Sequence, residues 1–297
     1  MSASIYNFGS INIDHIYRVP EFVQPGETLS SVSLETVLGG KGANQSVAIA
    51  RAGGIVKHIG CASKGDKWVF SYLESCGVDI THVRQVAAPT GHAIIQVNAA
   101  GENAIVLHGG ANQLFQVEFL ESVLSNAKKG DYLLVQNECN ALSDILSLGL
   151  NRGMKVVLNP APMTESIRAL PLNKLDTIIL NRVEASQLCE ENQTSIIVDK
   201  LMGLYPDTRV ILTLGNEGAW LISSAGVEKV PATAATVVDT TAAGDTFVGY
   251  FLAGLVDGLS DVDSLSRACS AAALTVQKLG AIPSIPTIDE LNVQFKQ

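Results

Sequence analysis

An α/β fold, with a Rossmann-like, mostly parallel sheet flanked by helices and a small β-sheet standing off it, is predicted by three observations. Short apolar runs alternate with longer stretches of helical periodicity, the pattern of a parallel sheet covered on both faces. Two segments, about 15–37 and 91–109, break that alternation with strand-like residues around turn signals. Hydrophobic content of 47% and 26 glycines in 297 residues suit a well-cored globular chain.

In chain order, Ile5–Ile11, Val56–Cys61, Tyr132–Gln136, Val156–Leu158, Thr177–Leu180 and Val210–Leu214 are short apolar runs and are predicted as strands. Ala43–Ala52, Lys67–Cys76, Val117–Ala127, Ala141–Arg152 and Ser195–Tyr205 have helical spacing. Ala219–Ser223 and Val227–Pro231 form a hairpin-like pair, followed by helices over Ala243–Leu255 and Leu265–Leu279. Turn signals at Gln24-Pro25-Gly26 and Ala100-Gly101 divide the two off-pattern segments into strands, a candidate lid. No linker, repeat or low-complexity tract divides the chain, so one domain over 1–297 is expected, with the lid inside it.

A net charge of −9 disfavours a nucleic-acid or anionic-membrane surface. Cys61, Cys76, Cys139, Cys189 and Cys269 are odd in number and scattered, with no metal-ligand spacing, as expected of buried thiols in a reducing compartment. The start MSASIYNFGS has neither a basic region nor an apolar core, and no apolar run approaches spanning length. These features predict a soluble, cytoplasmic chain.

Polar residues gather where the strands end. In Asp239–Phe247, DTTAAGDTF, Ala242, Ala243 and Gly244 stand at the first turn of an apolar helix. Backbone N–H groups there lack intrahelical partners, and small side chains let an anion approach. Asp245 would repel a bare anion, so it needs a chemical task beside one; a plain capped helix is the alternative. LGGKGANQ, Leu38–Gln45, is neither a P-loop nor GxGxxG, because Gln45 stands where the last glycine belongs. It offers Gly39, Gly40 and Gly42 for close backbone approach, with Lys41 and Asn44 as donors; a tight turn into a helix is the simpler reading. GSINIDH, Gly9–His15, places Asn12 and Asp14 on one side of a strand end, suited to a polyhydroxylated ligand. Glu138 follows another strand, Asn181 and Glu184 are spaced to share one helical turn, and LTLGNEG, Leu212–Gly218, is a glycine-bracketed loop able to approach a nucleotide.

These motifs, with PGET (Pro25–Thr28), GEN (Gly101–Asn103), LNPAP (Leu158–Pro162) and GAIPSIP (Gly280–Pro286), occur in the order seen in the ribokinase group of the PfkB sugar kinases. The resemblance covers almost the whole chain. It implies ATP-dependent phosphorylation of D-ribose at its 5-hydroxyl, with magnesium and potassium, in a Rossmann-like core with a β lid that often forms a homodimer interface. By the same resemblance Asp245 is the general base, and Ala242, Ala243 and Gly244 form an anion hole for the transferring phosphoryl group. Asn12, Asp14, Gly40, Lys41, Gly42, Asn44 and Glu138 resemble the sugar-binding set, with Asp245 shared. Asn181, Thr213, Leu214, Gly215, Asn216, Gly218, Gly244 and Cys269 resemble the ATP site. Asn181 and Glu184 resemble a pair that organises magnesium largely through water. Asp239, Thr241, Thr275, Lys278, Gly280 and Ser284 resemble a potassium site.

The chain departs from that pattern in three places. LNRVEA replaces the usual PNETE phrase, so Arg182-Val183 stands where an acid is common. Cys269 stands where an Asn or His often faces the adenine, and His92 replaces a small apolar lid residue near the sugar. A kinase for deoxyribose, fructose or a nucleoside is the alternative within the group. A non-catalytic sugar- or nucleotide-binding regulator is disfavoured, because binding alone needs no base at Asp245.

Overall fold

The structure, a computed structural model, describes residues 3–294; the two ends of the expected 1–297 domain lie outside them. Among the described residues there are thirteen strands, of which the first half holds β1 Ile5–Phe8, β2 Asn12–Arg18, β3 Ser33–Gly39, β4 Val56–Ser63, β5 Asp79–Val86, β6 Gly91–Val97 and β7 Asn103–His108. The second half holds β8 Tyr132–Gln136, β9 Lys155–Asn159, β10 Thr177–Asn181, β11 Arg209–Thr213, β12 Ala219–Ser223 and β13 Gly226–Val230. The helices are α1 Lys41–Arg51, α2 Lys67–Ser75, α3 Val117–Leu124, α4 Leu142–Asn151, α5 Glu165–Arg168, α6 Arg182–Cys189, α7 Thr194–Leu204, α8 Ala243–Val256, α9 Asp261–Thr275 and α10 Ile288–Gln294.

Nine strands form one sheet in the order β13-β12-β11-β10-β9-β8-β1-β4-β5. Every pairing is parallel except β11 with β12 and β12 with β13, so the hairpin expected after Gly218 is present. The central strands are buried on both faces, which is why they are continuous apolar runs. Two apolar clusters cover the faces, one centred on α1, α8 and α9, the other on α3, α4, α6 and α7. The chain leaves β1 toward β4 on one side and later returns to β8 on the other. The crevice beyond the ends of β1 and β8 is therefore a topological switch point, where open α/β sheets bind ligands.

The remaining strands form a four-stranded mixed sheet in the order β3-β2-β6-β7. It holds the two off-pattern segments and begins earlier than expected. The predicted strand Ile5–Ile11 ends at Phe8, and the chain turns through Gly9–Ile11 into β2, so Asn12 and Asp14 open a strand of the small sheet rather than closing one of the core. Two further boundaries moved. Helix α9 starts at Asp261, because the Ser260 side chain accepts the Asp263 N–H as an N-cap, and it ends at Thr275 rather than Leu279. The edge strand β5 was not expected. Among the described residues no helix is long and apolar enough to cross a membrane.

Candidate active site

Glycines let α1 reach the switch point. A Cβ on Gly42 would lie 2.4 Å from the Gly9 carbonyl carbon, and Gly40 has φ 89°, so neither position accepts a larger residue without displacement. The Ala43 N–H donates to the Ser10 carbonyl at 2.9 Å. Glu138, just past β8, ties the crevice together by accepting from the Ser10 hydroxyl and, at 3.1 Å, from the Lys41 N–H.

Helix α8 is brought against α1 in the same manner. A Cβ on Gly249 would sit 2.4 Å from the Ala48 Cβ, so the two helices touch nearly backbone to backbone. This contact sets Asp245, in the first turn of α8, opposite Asn44 and Gln45. Asn44 Nδ2 donates to Asp245 Oδ2 and Gln45 Nε2 to Oδ1, both at 2.9 Å. Burial pushes the Asp245 carboxyl above the ordinary carboxylate range, opposed by Lys41 and these two amides. Burial likewise raises Glu138 and Glu184. For Lys41, burial works against the charged form, but the carboxylates of Asp245, Glu138 and Glu184 outweigh it and the ammonium is held more firmly than usual. Asn44 Oδ1 is buried with no hydrogen-bond partner among the described residues. A buried orphan acceptor costs about 1–3 kcal/mol unless a donor arrives.

A cleft of about 200 Å³ opens at this point, lined by Lys41, Asn181, Glu184, Thr213, Ala242 and Gly244 around Asp245. Nothing lies within 4 Å of a Cβ built on Gly244, so the helix start is open. Ala242 is the N-cap with φ 59°, a left-handed conformation uncommon for alanine. The Ala243 N–H is turned back to the Thr240 carbonyl at 3.2 Å, so of the small residues here Ala243 already uses its donor in the turn.

Asn12 and Asp14 stand on the small sheet above the crevice. Asn112 Nδ2 donates to Asn12 Oδ1 at 2.8 Å, which leaves the Asn12 amide N–H groups for other acceptors. Burial, then the nearby Glu138 carboxylate, pushes Asp14 up to about 6. The register pairs Ile13 with His92 and His92 with His108, so His92 lies on the face of Ile13 and His15, opposite to Asp14.

On the far side, Asn181 and Glu184 cap α6 for each other. Asn181 Oδ1 accepts the Glu184 N–H at 2.8 Å, and Glu184 Oε2 accepts the Asn181 N–H at 2.9 Å. Arg182 pairs with Glu217 of the turn after β11, so the departure from the expected acid at this point tethers that turn. The residues expected at the nucleotide separate. Thr213 lines the cleft, and Gly215 and Asn216 stay on the open loop. Leu214 instead packs in the core, where its apolar side chain belongs. A Cβ on Gly218 would lie 2.0 Å from the Val230 carbonyl oxygen, so this glycine allows the close approach of the end of β13. Cys269 is buried in the α8–α9 core, its thiol pushed up to about 11 by burial, and is not on the cleft wall.

The Asp239 loop is cross-tied to the segment after α9. Asp239 accepts from the Thr241 N–H and hydroxyl and from the Gly280 N–H at 2.9 Å; these bonds outweigh its partial burial and hold the carboxyl below its usual range. The Val276 carbonyl accepts from Val238 and Asp239. Thr275 and Ser284 are fully buried, with Thr275 Oγ1 donating to Ala271 and Ser284 Oγ to Ala281, whereas the Lys278 ammonium turns outward to Glu290. Among the described residues no group of three or more His, Cys, Asp or Glu is arranged to hold a metal.

The pfkB family carbohydrate kinase profile matches residues 2–288. The chain belongs to the pfkB family of carbohydrate kinases. It is a phosphotransferase of an ATP-using family. The chain is 35% identical to the ribokinase of Haemophilus influenzae over 98% of its length and 97% of that protein. It is 30% identical to the deoxyribokinase of Salmonella typhi, covering 96% of each chain. The structure of Arabidopsis thaliana ribokinase complexed with ribose and ATP superposes with a TM-score of 0.89, covering 100% of both chains at 29% identity.

Four residues of this kinase's site escaped the sequence reading: Gln45, Asn112, Gln136 and Asn159. All are buried and hydrogen-bonded to cleft residues or to one another. Gln45 had a usable signal, a polar residue on the buried face of an amphipathic helix. The others meet the site only through long-range contacts, Gln136 and Asn159 by strand register and Asn112 from a short helical turn after β7.

Proposed function

We propose that the chain transfers the γ-phosphoryl group of ATP to the 5-hydroxyl of D-ribose, giving ribose 5-phosphate and ADP. The observation that carries this reading is the pairing of a buried, amide-held Asp245 with an open helix start in one cleft beside the orphaned acceptor of Asn44. Asp245 takes the hydroxyl proton as the sugar oxygen bonds to the γ-phosphorus and the bond to the ADP oxygen breaks. Gly244 and the adjoining N–H groups stabilise the charge on the moving phosphoryl oxygens. Asn12, Asp14, Asn44, Glu138 and the segment Gly40–Gly42 bind the sugar, and Lys41 offsets charge at its inner end. Asn181, Thr213 and the Gly215–Asn216 turn hold the nucleotide.

Glu184 has one oxygen outside its capping bond and a place in the cleft, a donor set that suits magnesium held through water. Bound there with ATP, magnesium would neutralise phosphate charge. The ionised Asp239 and the carbonyls of Thr241, Thr275, Lys278 and Gly280, near Ser284, suit a weakly hydrated potassium ion that orders the Asp239–Gly244 loop. We read the chain as one catalytic domain in the cytoplasm. The small sheet would be its lid, and the exposed apolar strand of that lid a homodimer contact.

The second reading is a 2-deoxyribose kinase, favoured by the 30% identity to a deoxyribokinase over 96% of the chain. Steady-state kcat/KM with ATP on ribose, 2-deoxyribose, fructose and adenosine decides. Ribose should lead, because a site built to hydrogen-bond a hydroxyl rejects an analogue lacking it. Equal or better efficiency on 2-deoxyribose, fructose or adenosine would overturn the ribose reading.

A further inference from the structure

Below the cleft, side-chain amides form a directed ladder whose last rung is Asp245. Asn7 Nδ2 donates to the Gly42 carbonyl and to Ser46 Oγ, both at 2.8 Å. Gln136 Nε2 donates to Asn7 Oδ1 at 2.9 Å and to Gln45 Oε1 at 2.7 Å. Gln45 Nε2 then donates to Asn159 Oδ1 at 3.0 Å and to Asp245 Oδ1 at 2.9 Å, while Asn159 Nδ2 donates to the Ile179 carbonyl. Asn7, Gln45, Gln136 and Asn159 come from α1 and three different strands or strand ends, and all four are buried.

The ladder has one sense. The amide nitrogens of Asn7, Gln136 and Gln45 each donate to two acceptors, so turning over any one of these three sets oxygen against oxygen at its neighbours. The Gly42 carbonyl accepts only, and it fixes Asn7; Asn7 fixes Gln136, and Gln136 fixes Gln45. With Gln45 so held, an N–H must face Asp245 Oδ1 whatever the protonation of the acid. Asn44 supplies the N–H on Oδ2.

We propose that Gln45, held in a single amide orientation by the ladder from Asn7 through Gln136, is a positioning residue that keeps Asp245 an oriented carboxylate ready to accept the substrate proton. This rests on the reading of Asp245 as the base. Burial alone would favour a protonated, inert Asp245, and a hydrogen bond donated to the charged form opposes it. The other ionisable groups facing Asp245 are Lys41, Glu138 and Glu184. The ladder's far end meets His58 through Ser46, and burial holds that imidazole neutral by lowering it to about 4, so it adds no charge.

The test is the pH profile of kcat at saturating sugar and ATP, which reports ionisations of the bound complex. Gln45→Leu removes the donor at nearly constant size. Its acid limb should move up by about one unit, the size expected for losing one charge-assisted hydrogen bond, with KM for ATP unchanged. Gln136→Leu, whose native side chain bonds Asn7 and Gln45 and makes no hydrogen bond to Asp245, should move the limb the same way by less, because it frees the Gln45 amide to turn. Circular dichroism and melting establish that each variant is folded, and Gln136→Leu serves if Gln45→Leu does not fold. A lower kcat with the acid limb unmoved in the folded variants, or a wild-type profile in both, would overturn the proposal. Asp245→Asn runs alongside. If it keeps wild-type turnover, the base reading itself fails; if it is inactive while the limb stays put, only the role of Gln45 falls.

Discussion

The floor of the cleft and the small sheet are built on opposite principles. Asp245, Gln45, Asn159 and Gln136 are buried, and their side chains bond to groups on separate elements of the core. Strand β7 of the small sheet is exposed along its whole length, with Ile105 56% and Val106 67% accessible, although both are strongly apolar. One region holds reacting groups where they cannot drift. The other presents a hydrophobic edge that monomeric proteins normally avoid. The difference teaches that Asp245 and its amide partners are preorganised in the core, whereas the sugar capture proposed for Asn12 and Asp14 would rest on the small sheet. Asn12 and Asp14 belong to both, being side chains of the sheet placed over the core crevice.

Asp14 gives the largest expected effect on the sheet side. Asp14→Asn should raise KM for the sugar by about tenfold or more, the scale of a lost hydrogen bond to a charged group, and leave KM for ATP unaltered. The wild type should itself lose sugar affinity as pH falls through about 6, where this raised carboxyl takes up a proton. The linkage to stability runs oppositely. A carboxyl whose folded value is raised favours the folded state most at low pH, and that contribution is lost between the ordinary aspartate value and about 6. Initial-rate measurements from pH 5 to 8, within about the range expected of such a carboxyl, check the binding claim. An identical pH dependence of sugar KM in Asp14→Asn would break it.

A smaller effect is expected from monovalent cations. Potassium chloride should raise turnover severalfold over sodium chloride at matched ionic strength, and Asp239→Ala should abolish that response. Rates indifferent to the cation, with Asp239→Ala fully active, would remove potassium from the account. The smallest effect on catalysis, though not on assembly, belongs to β7. The wild type should run as a dimer in light scattering, and Val106→Lys as a monomer with only modestly altered kcat. A monomeric wild type would leave that apolar edge without its proposed partner.

Legibility from sequence followed the same division. GGKGAN and DTTAAGD could be read because small residues and helix starts are local features, and the structure places Asn44 and Asp245 within one hydrogen bond. Asn112 and Gln136 were opaque, since nothing nearby in sequence tells which strand end they will meet. Strand β5, DITHVRQV, escaped because it is a half-exposed edge whose polar residues blur the apolar signal. Gly9-Ser10 hid the break between the two sheets, an apolar–polar run continuous in sequence but turned in space. The packing of Leu214 and Gly218 was hidden for a related reason. A glycine-bracketed loop beside a strand suggests ligand approach, yet the contact of Gly218 is with the carbonyl of Val230.

The central claim is that Asp245 is the base for phosphoryl transfer. Its most direct measurement is kcat of Asp245→Asn on ribose and ATP, with sugar binding followed by calorimetry on the same preparation. The account predicts a folded variant that still binds the sugar and turns over about 10²–10⁴ times more slowly, the loss expected when a general base is removed. A folded Asp245→Asn with near wild-type turnover would contradict it.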